Sequence, residues 1–359
     1  MKYSIIVAID NNFALTSNFI EILLASTKLG QNNELVIILD GCNNIQTINY
    51  LDSLSERNLP IKVLRNDSKK GYGIANNIAV DNSKGDILVF INSDVFPLKG
   101  SIDKLVTFLS ENRETVGAAQ GLLIYPQDNK VQSTGHLFLE LQNNHIYQGS
   151  SIHNPVIEKR AKRQAITTAF CAITREVFLK NGKFNEYYYN AYEGFELTLK
   201  ITLSGLKCMY YPQAKAYHIC GGTRDSMDIS ETQQSKYFIQ NWGDKIVTDI
   251  DQYIAPQLNN FHLKRMYTVI ILSQLKGWET ILNKLQLNVN GYITLPCYGN
   301  IDLYQLFPYS FLDFGGNYLF IVDSIKNISR NCNWIENRKR YHDIVMDSHG
   351  NMIDMRELI

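Results

Sequence analysis

Polar side chains follow three apolar runs in the first hundred residues, and their types suit phosphate chemistry. The pairs of run and polar group are Ser4–Ile9 with Asp10-Asn11, Leu35–Leu39 with Asp40-Gly41, and Asp86–Ile91 with Asn92-Ser93-Asp94. Carboxylate and amide oxygens are ligands of hard divalent cations, and such a cation neutralises the charge of a diphosphate. Asp94 is therefore the first candidate metal ligand, although Asn, Ser and Asp also favour an ordinary turn after a strand.

The apolar runs predict the strands of an α/β domain that positions these side chains. They are short and rich in β-branched residues, and they alternate with helical patterns such as Thr16–Leu29 and Gly73–Asn82. This alternation favours βαβ units and a parallel sheet, whose ligands bind beyond the carboxyl ends of the strands. We therefore expect the three polar groups to line one crevice. Lys207–Tyr211 predicts a later strand that ends at Pro212.

Two longer blocks of sequence resemble the family 2 glycosyltransferases, in particular their rhamnosyltransferase-like branch. The first block contains LRNDSKKGYGIANNIAV, GDILVFINSDVFPLKGSIDKLVTFLSEN and VGAAQGLLIYPQDNKVQSTG, and the second is ITTAFCAITREVFLKNGKFNEYYYNAYEGFELTLKITLSGLKCMYYPQAKAYHICGGT. The resemblance covers residues 3–224 in matching order. It implies a GT-A fold, which is a Rossmann-like α/β nucleotide-sugar-binding domain with a mixed sheet.

The resemblance, together with a change in the character of the sequence near residue 245, predicts a domain organisation. A glycosyltransferase domain is expected over residues 1–245, with a nucleotide-binding half at 1–120 and an acceptor-binding half at 121–245. After this domain the sequence changes in character, and Phe261–Leu287 predicts one or two amphipathic helices. Residues 246–359 are therefore expected to form a smaller, α-rich or mixed C-terminal extension with no assigned role.

The resemblance assigns metal binding to Asp94, the last residue of an Asp-x-Asp variant, and to His218. It implies a divalent cofactor, Mn²⁺ or Mg²⁺, and a neutral imidazole suits a manganese-like ion. Zinc at His218-x-Cys220 is disfavoured because no other cysteine pair supports it. The residues placed at the donor nucleotide sugar are Ala8, Asp10, Asp40, Gly71, Gly73, Asn76, Asn92 and Ser93, of which Asn76 also suits an ordinary helix cap.

The sequence departs from the family pattern at two positions. The acidic residue that contacts the nucleotide base aligns with Leu39, and Asp40 stands one position later. The aspartate that deprotonates the acceptor hydroxyl aligns with Gly194. Glu193 and Glu196 are three residues apart on one helix face and are the candidate catalytic bases, with Glu193 preferred. The aromatic residues predicted to bind the acceptor are Tyr188, Tyr189 and Tyr192.

The expected activity is metal-dependent, inverting transfer of a hexosyl or deoxyhexosyl group from a nucleotide-diphosphate sugar to a glycan or lipid-linked acceptor. Family resemblance places this reaction in surface polysaccharide biosynthesis. The departures at positions 39 and 194 leave a second interpretation open, in which a homologue binds nucleotide sugars or a partner protein without transferring a sugar. A dinucleotide-binding oxidoreductase is disfavoured because Asn76 stands where that fingerprint requires glycine.

Composition restricts the partners and the location. Lys+Arg and Asp+Glu number 35 each, so no net charge favours nucleic acid. The six cysteines form no CxxC pair, and no apolar run approaches the roughly 20 residues that span a bilayer. We therefore expect a cytoplasmic protein with reduced thiols. Lipid-linked acceptors would allow peripheral contact with the inner face of the plasma membrane, and homo-oligomers are compatible with the sequence.

Overall fold

The computed structural model describes residues 2–139, 142–219, 229–253, 266–273, 276–285, 288–294, 317–323 and 343–354. The chain forms two compact units. The first unit comprises Met1–His136 and Gln148–Lys245, and the second comprises Leu137–Tyr147 and Ile246–Ile359. A segment from the middle of the sequence thus belongs with the C-terminal residues.

Strands and helices alternate through the first half of the chain. Up to residue 242, the elements are β1 (Tyr3–Ile9), α1 (Phe13–Ser26), β2 (Asn33–Asp40), α2 (Ile45–Ser53), β3 (Ile61–Asn66), α3 (Tyr72–Asp81), β4 (Ile87–Ile91), β5 (Val95–Pro97), α4 (Ser101–Glu111), β6 (Val116–Ile124), β7 (Val131–Ser133), β8 (His136–Leu139), β9 (Gln142–His145), β10 (Ala161–Arg163), β11 (Phe170–Thr174), α5 (Arg175–Lys180), α6 (Glu193–Leu203), β12 (Lys207–His218) and α7 (Ile229–Trp242). Short 3-10 helices occupy Leu54–Arg57 and Gly243–Lys245.

Within the described residues, the first unit is built on one ten-stranded mixed sheet. Its order is β10-β12-β6-β11-β4-β1-β2-β3, with β5 paired to β12 and β7 paired to β6. Strands β1 to β4 are parallel, and β12 is parallel to β6. Because β11 is antiparallel to both β4 and β6, strand β12 runs in the same direction as β4. The carboxyl ends of β1, β2, β3, β4 and β12 therefore lie at one edge, where α/β sheets bind ligands.

The sheet is buried on both faces, which explains the unbroken apolar runs of its strands. In β1, Ile5 and Val7 pack in one core cluster and Ile6 packs in the other. In β4, Val89 and Phe90 divide between the two clusters in the same way. Successive side chains of a strand point to opposite faces, so a strand covered on both sides must be apolar throughout.

The predicted elements of residues 1–120 are confirmed to within a few residues, but the predicted end of the Lys207 strand is wrong. Strand β12 continues past Pro212 to His218, with a shift of register between Tyr211 and Lys215. Proline lacks a backbone N–H, so it is compatible with a strand where the ladder is irregular. This irregularity lets β12 extend to the edge at which the ligand site is expected.

The second unit has a separate parallel sheet. Its further elements are β13 (Met266–Leu272), α8 (Trp278–Lys284), β14 (Asn288–Thr294), β15 (Asn317–Val322) and β16 (Ile344–Asp347). In the described residues, four strands pair in the order β14-β13-β15-β16, all parallel. The β8-β9 hairpin belongs to this unit, where Asp249 Oδ1 accepts a 2.8 Å hydrogen bond from Phe138 N. Tyr147 Oη donates to the Tyr253 carbonyl at 3.1 Å.

The helical prediction for Phe261–Leu287 is wrong over Met266–Leu272, which forms β13, whereas Trp278–Lys284 is helical. Residues 269–272 of β13 are at most 1% exposed. A parallel strand that lies between two others is apolar throughout, and periodicity does not separate it from a buried helix. The described part of 246–359 is therefore mixed rather than α-rich. Residues 261–265, 274–275 and 286–287 lie outside the described residues.

Two expectations drawn from the composition concern the cysteines and membrane-spanning segments. Cys42, Cys171 and Cys208 are free thiols, and Cys220, Cys297 and Cys332 lie outside the described residues. In the described parts of the chain, no helix combines the length and the apolar character needed to cross a bilayer.

Candidate functional site

The two predicted metal ligands meet at the edge where β4 and β12 end. Asp94 lies in the turn between β4 and β5, and β5 pairs antiparallel with the end of β12, with Val95 opposite His218. The Oδ1 atom of Asp94 is 3.2 Å from Nε2 of His218, and the side chains are 4% and 12% exposed. A three-residue strand thus brings together two side chains from distant parts of the sequence.

The oxygen atoms at this turn lack hydrogen-bond donors. Among the described residues, Asp94 Oδ1 and Asn92 Oδ1 are buried and accept no hydrogen bond. A buried polar atom in this condition costs about 1–3 kcal/mol. Together with His218 Nε2, these atoms form an oxygen and nitrogen donor set that could hold Mn²⁺ or Mg²⁺.

The donor set is small. The described part of the chain contains no group of three or more His, Cys, Asp or Glu side chains that could hold a metal ion. A divalent ion bound by one or two side chains keeps coordination positions for phosphate oxygens and water, as Mg²⁺ commonly does. The other nitrogen of His218, Nδ1, lies 2.6 Å from Oε1 of Gln132, which is 3% exposed in β7.

Asp40, a predicted donor-binding residue, holds the loop before α3. Its carboxylate accepts hydrogen bonds from Asn66 Nδ2 at 2.8 Å, from Lys70 N at 3.0 Å and from Gly71 N at 2.8 Å. Gly71 has a φ of 91°, which disfavours other residue types. Leu39, which aligns with the acidic residue of the family, is 1% exposed in the core. The structure thus gives Asp40 a clear positioning role.

The end of β1 contacts the same loop. Nζ of Lys69 lies 2.7 Å from Oδ2 of Asp10, and both side chains are partly exposed. An ion pair at such a surface contributes about 0–1 kcal/mol, so the contact with Asp10 adds little to stability. Ala8, another predicted donor residue, is half-buried at this end of the strand.

The remaining predicted donor residues lie on α3 and in the turn after β4. The Nδ2 atom of Asn76 donates to the Tyr72 carbonyl at 2.8 Å, so its side chain bonds within its own helix and is not an N-cap. A Cβ added to Gly73 would lie 3.4 Å from Phe184 Cβ, so glycine permits close packing there. Ser93 is 6% exposed between Asn92 and Asp94.

Glu193 is the first residue of α6 and is 6% exposed. The chain enters this helix through Asn190 and Tyr192, which have left-handed φ values of 79° and 70°. Such conformations cost about 1–3 kcal/mol each and concentrate at functional sites. A Cβ added to Gly73 would lie 3.7 Å from Glu193 Cβ, so the starts of α3 and α6 pack together. Glu193 therefore has a tightly constrained backbone position.

The space beside Gly194 is filled by Thr168. A Cβ added to Gly194 would lie 2.1 Å from Thr168 Oγ1 and 2.8 Å from its Cγ2, well inside van der Waals contact. The carbonyl of Ala169, the next residue, accepts a 3.0 Å hydrogen bond from Asn92 N. One short segment therefore contacts both the Asp94 turn and the start of α6. It excludes an aspartate side chain at position 194 in this conformation.

Glu196 is fully engaged inside the first unit. Its carboxylate accepts hydrogen bonds from Tyr188 Oη at 2.6 Å and from Asn185 Nδ2 at 3.1 Å, and it forms an ion pair with Lys200. Burial raises the pKa of Glu196, but Lys200 and the hydrogen bonds outweigh it and leave the pKa below its ordinary value. Burial and the nearby Glu196 raise the pKa of Tyr188, which stays a donor. A carboxylate with a lowered pKa is a weak general base.

The three tyrosines predicted to bind the acceptor differ in exposure. Tyr188 is 1% exposed, so its ring is closed to a ligand in this structure. Tyr189 is 42% exposed and Tyr192 is half-buried. Tyr187, another aromatic residue of this segment, is 54% exposed and stacks on Tyr237 of α7 with ring centroids 3.9 Å apart.

Comparison with known proteins identifies the domain. Residues 4–178 match the model of Glycosyl transferase family 2. This part of the chain belongs to glycosyl transferase family 2. The match includes the turn with Asp94 and stops before α6 and His218.

Two curated relatives extend the similarity. The uncharacterized protein y4gI of Sinorhizobium fredii is 26% identical over 234 residues, which are 64% of this chain and 25% of that protein. The O-antigen biosynthesis protein RfbC of Myxococcus xanthus is 26% identical over 242 residues, which are 64% of this chain and 18% of that protein. The chain therefore spans a quarter or less of the length of these relatives.

A solved structure confirms the predicted α/β GT-A-like fold of the glycosyltransferase domain. The crystal structure of GalNAc-T7 with UDP, GalNAc and Mn²⁺ superposes with a TM-score of 0.56. The two proteins are 16% identical, and the match covers 80% of this chain and 55% of GalNAc-T7. At this identity the similarity concerns the fold alone.

Sequence reasoning missed two residues that contact the candidate site, Gln132 and Thr168. Both lie in the sequence blocks that carry the family resemblance, in VQSTG and ITTAF. Their residue types did not indicate a role in the site, because glutamine and threonine have many ordinary roles. Their importance comes from contacts with His218 and Gly194, which only the folded chain reveals.

We predict that Gly194→Ala destabilises the full chain by about 1–3 kcal/mol, because the added methyl group overlaps Thr168 in a packed region. Urea unfolding gives the free energy. Gly30→Ala is the matched control, since no atom lies within 4 Å of a Cβ added there, and it should change stability by less than about 0.5 kcal/mol.

Adding Thr168→Ala removes the two atoms closest to the new methyl group. The double variant should therefore lose less stability than the sum of the single variants, with a coupling of about 0.5–3 kcal/mol. If Gly194→Ala behaved like Gly30→Ala, the packing of Thr168 against α6 would not be rigid.

We predict that Glu196→Gln lowers the free energy of unfolding at neutral pH by about 1–3 kcal/mol, the cost of lost hydrogen bonds to a charged group. Because the pKa of Glu196 is lower in the folded chain than in the unfolded chain, its contribution exists above the unfolded pKa and disappears as pH falls through the folded pKa. Unfolding measured between neutral and acidic pH tests this. Glu176→Gln, at an exposed site on α5, is the control, and a gap that stays constant with pH would contradict the prediction.

Proposed function

We propose that the chain catalyses metal-dependent transfer of a sugar from a nucleotide-diphosphate sugar to a hydroxyl group of a glycan or lipid-linked acceptor. The observation that carries this proposal is the buried pair of Asp94 and His218 at the carboxyl edge of the sheet, with an Asp94 oxygen that accepts no hydrogen bond in the described structure. Membership of the domain in a glycosyltransferase family supports the reaction class. The Mn²⁺ bound with UDP in GalNAc-T7 supports a divalent ion.

On the donor side, Asp94 and His218 would hold the divalent ion, with Asn92 and Ser93 in the same turn. The ion, when bound, supplies positive charge that stabilises the leaving diphosphate. Lys69 adds a mobile positive charge beside Asp10, and Asp40 fixes the backbone of Gly71 next to it. In this proposal Asp10, Ala8, Gly71, Gly73 and Asn76 surround the nucleotide sugar, and Asp40 orders that site through the loop rather than through the base.

On the acceptor side, Glu193 acts as the general base. Its carboxylate takes the proton of the acceptor hydroxyl as that oxygen bonds to the anomeric carbon, while the bond from this carbon to the phosphate oxygen breaks and the nucleoside diphosphate leaves. Attack opposite the leaving group inverts the anomeric configuration. Glu193 is preferred to Glu196, whose carboxylate already binds Lys200, Tyr188 and Asn185. Glu196 instead stabilises the helix that carries Glu193.

The acceptor is proposed to lie against Tyr189 and Tyr192, because aromatic faces and hydroxyl groups suit sugar rings. Similarity to an O-antigen biosynthesis protein supports a surface glycan as the product class. A cytoplasmic location, with the acceptor presented at the membrane face, belongs to the same proposal. The sugar and the nucleotide base are outcomes of the donor assay below.

One observation favours a second function. Thr168 fills the space beside Gly194, so the chain cannot carry a carboxylate at that position without repacking. A protein that binds nucleotide sugars but does not transfer them would have no need for a carboxylate there. The two functions differ in one result, the release of nucleoside diphosphate in the presence of an acceptor.

We predict that Asp94→Asn abolishes metal-dependent release of nucleoside diphosphate from the active donor. Loss of this charge should lower the rate by roughly 100-fold or more, as loss of one transition-state contact does elsewhere. The assay compares UDP-, GDP- and dTDP-sugars with and without Mn²⁺. Asp86→Asn is the matched control, because this exposed residue immediately precedes β4, away from the Asp94 turn, and should keep wild-type rates. Full activity of Asp94→Asn would remove the metal role from Asp94.

We predict that Glu193→Gln reduces transfer by about 10²–10⁴-fold, the usual contribution of a general base, and leaves nucleotide binding unchanged. Transfer is measured with the donor found above and an extract of lipid-linked glycans, and binding is measured by calorimetry with the free nucleotide. Glu176→Gln should match the wild type in both measurements. If the wild type transferred no sugar from any donor while it still bound nucleotide, the non-transferring function would be favoured.

A further inference from the structure

The His218 ring faces an oxygen atom on each side. Its Nδ1 atom lies 2.6 Å from Gln132 Oε1, and its Nε2 atom lies 3.2 Å from Asp94 Oδ1. A neutral imidazole has one N–H, so only one nitrogen can donate a hydrogen bond. In the neutral ring, the two contacts therefore compete for a single proton.

The contact with Gln132 is the better hydrogen bond. Both partner oxygens can only accept, so the shorter contact, 2.6 Å against 3.2 Å, favours the proton on Nδ1. Gln132 is 3% exposed on β7, which pairs with β6, so its side chain starts from a fixed backbone. Nε2 then directs its lone pair toward the carboxylate of Asp94. Two electron-rich atoms at 3.2 Å in a buried place repel each other unless a proton or a metal cation lies between them.

The separation of these atoms suits such a cation. Ligands that occupy adjacent positions of an octahedral divalent ion, each about 2.1 Å from it, are about 3 Å apart. The observed distance between His218 Nε2 and Asp94 Oδ1 is 3.2 Å. The pair thus has the spacing of two ligands of one ion.

We propose that Gln132 is a positioning residue that selects the tautomer of His218 in which Nε2 is available to bind the divalent ion. The proposal rests on the metal-dependent function proposed above. Without Gln132, the proton would move to Nε2 and bond to Asp94, and this bond would occupy both metal ligands at once. Partners of this kind hold ligand orientation in many metal sites.

The tautomer can be measured without metal. Long-range ¹H–¹⁵N spectra of the full chain distinguish the two neutral forms of a histidine, and His218→Asn identifies its signals. The wild type should carry its proton on Nδ1, and Gln132→Ala should carry it on Nε2. A wild-type proton on Nε2 would overturn the proposal.

Metal affinity provides the second readout. Free Mn²⁺ is measured by electron paramagnetic resonance, with UDP, GDP or dTDP present. Gln132→Ala should bind Mn²⁺ about 10–100-fold more weakly, the usual cost of losing such a partner. Gln132→Glu keeps the size and the acceptor oxygen, so it should bind at least as tightly as the wild type. This second variant also serves if the alanine variant fails to fold.

The matched control is Gln148→Ala, which removes another glutamine hydrogen bond, from Nε2 to Tyr125 Oη at 2.7 Å, and should leave Mn²⁺ affinity unchanged. Equal affinity of Gln132→Ala and the wild type, or a loss of affinity in Gln132→Glu, would overturn the role of Gln132 alone. A wild type that binds no Mn²⁺ with any of the three nucleotides would overturn the metal-dependent function itself. The tautomer spectra separate these two failures, because they need no metal.

Discussion

The antiparallel pairing of β5 with the last residues of β12 is the constraint on which the donor side of the site depends. Tyr217 pairs with Phe96 and His218 pairs with Val95. Two further backbone bonds, from Leu98 N to the Lys215 carbonyl at 2.9 Å and from Ile219 N to the Asp94 carbonyl at 3.1 Å, extend this ladder at both ends. Because backbone hydrogen bonds fix the register, they hold the main chains of Asp94 and His218 next to each other, and the side chains then meet at 3.2 Å.

A two-residue segment links this constraint to the acceptor side. Ala169 accepts a hydrogen bond from the Asp94 turn, and the carbonyl of Thr168 accepts one from Tyr72 Oη at 3.2 Å. The side chain of Thr168 packs against Gly194. The turn after β4 and the starts of α3 and α6 therefore share one support. A substitution at position 168 would therefore affect both the turn after β4 and the start of α6.

The sequence was informative where chemistry and chain order coincide. Asp94 was predicted as a site residue because it follows a strand, and His218 was predicted from its place in an ordered set of motifs; the fold brings the two side chains together. Glu196 and Tyr188 were predicted as site residues from type and spacing, yet in the fold they bond to each other at 2.6 Å. Spacing along a helix predicts which face of the helix a residue lies on, but it does not predict which side chains that residue contacts. Asp40 shows the same limit, since its bonds to the loop before α3 depend on the register of β2 and β3. The strand Met266–Leu272 was missed because a buried strand and a buried helix can share one apolar pattern.

The β8-β9 hairpin gives the chain an unusual order of assembly. Residues 137–147 belong to the second unit, but the partners that bind them, Asp249 and Tyr253, are made about a hundred residues later. At synthesis rates of roughly 5–20 residues per second, the hairpin waits about 5–20 s on the ribosome before those partners exist. All residues of the first unit precede residue 246, so contacts within that unit do not wait for the synthesis of the second unit. Residues 1–136 and 148–245, on either side of this segment, are therefore all synthesised before the second unit is complete.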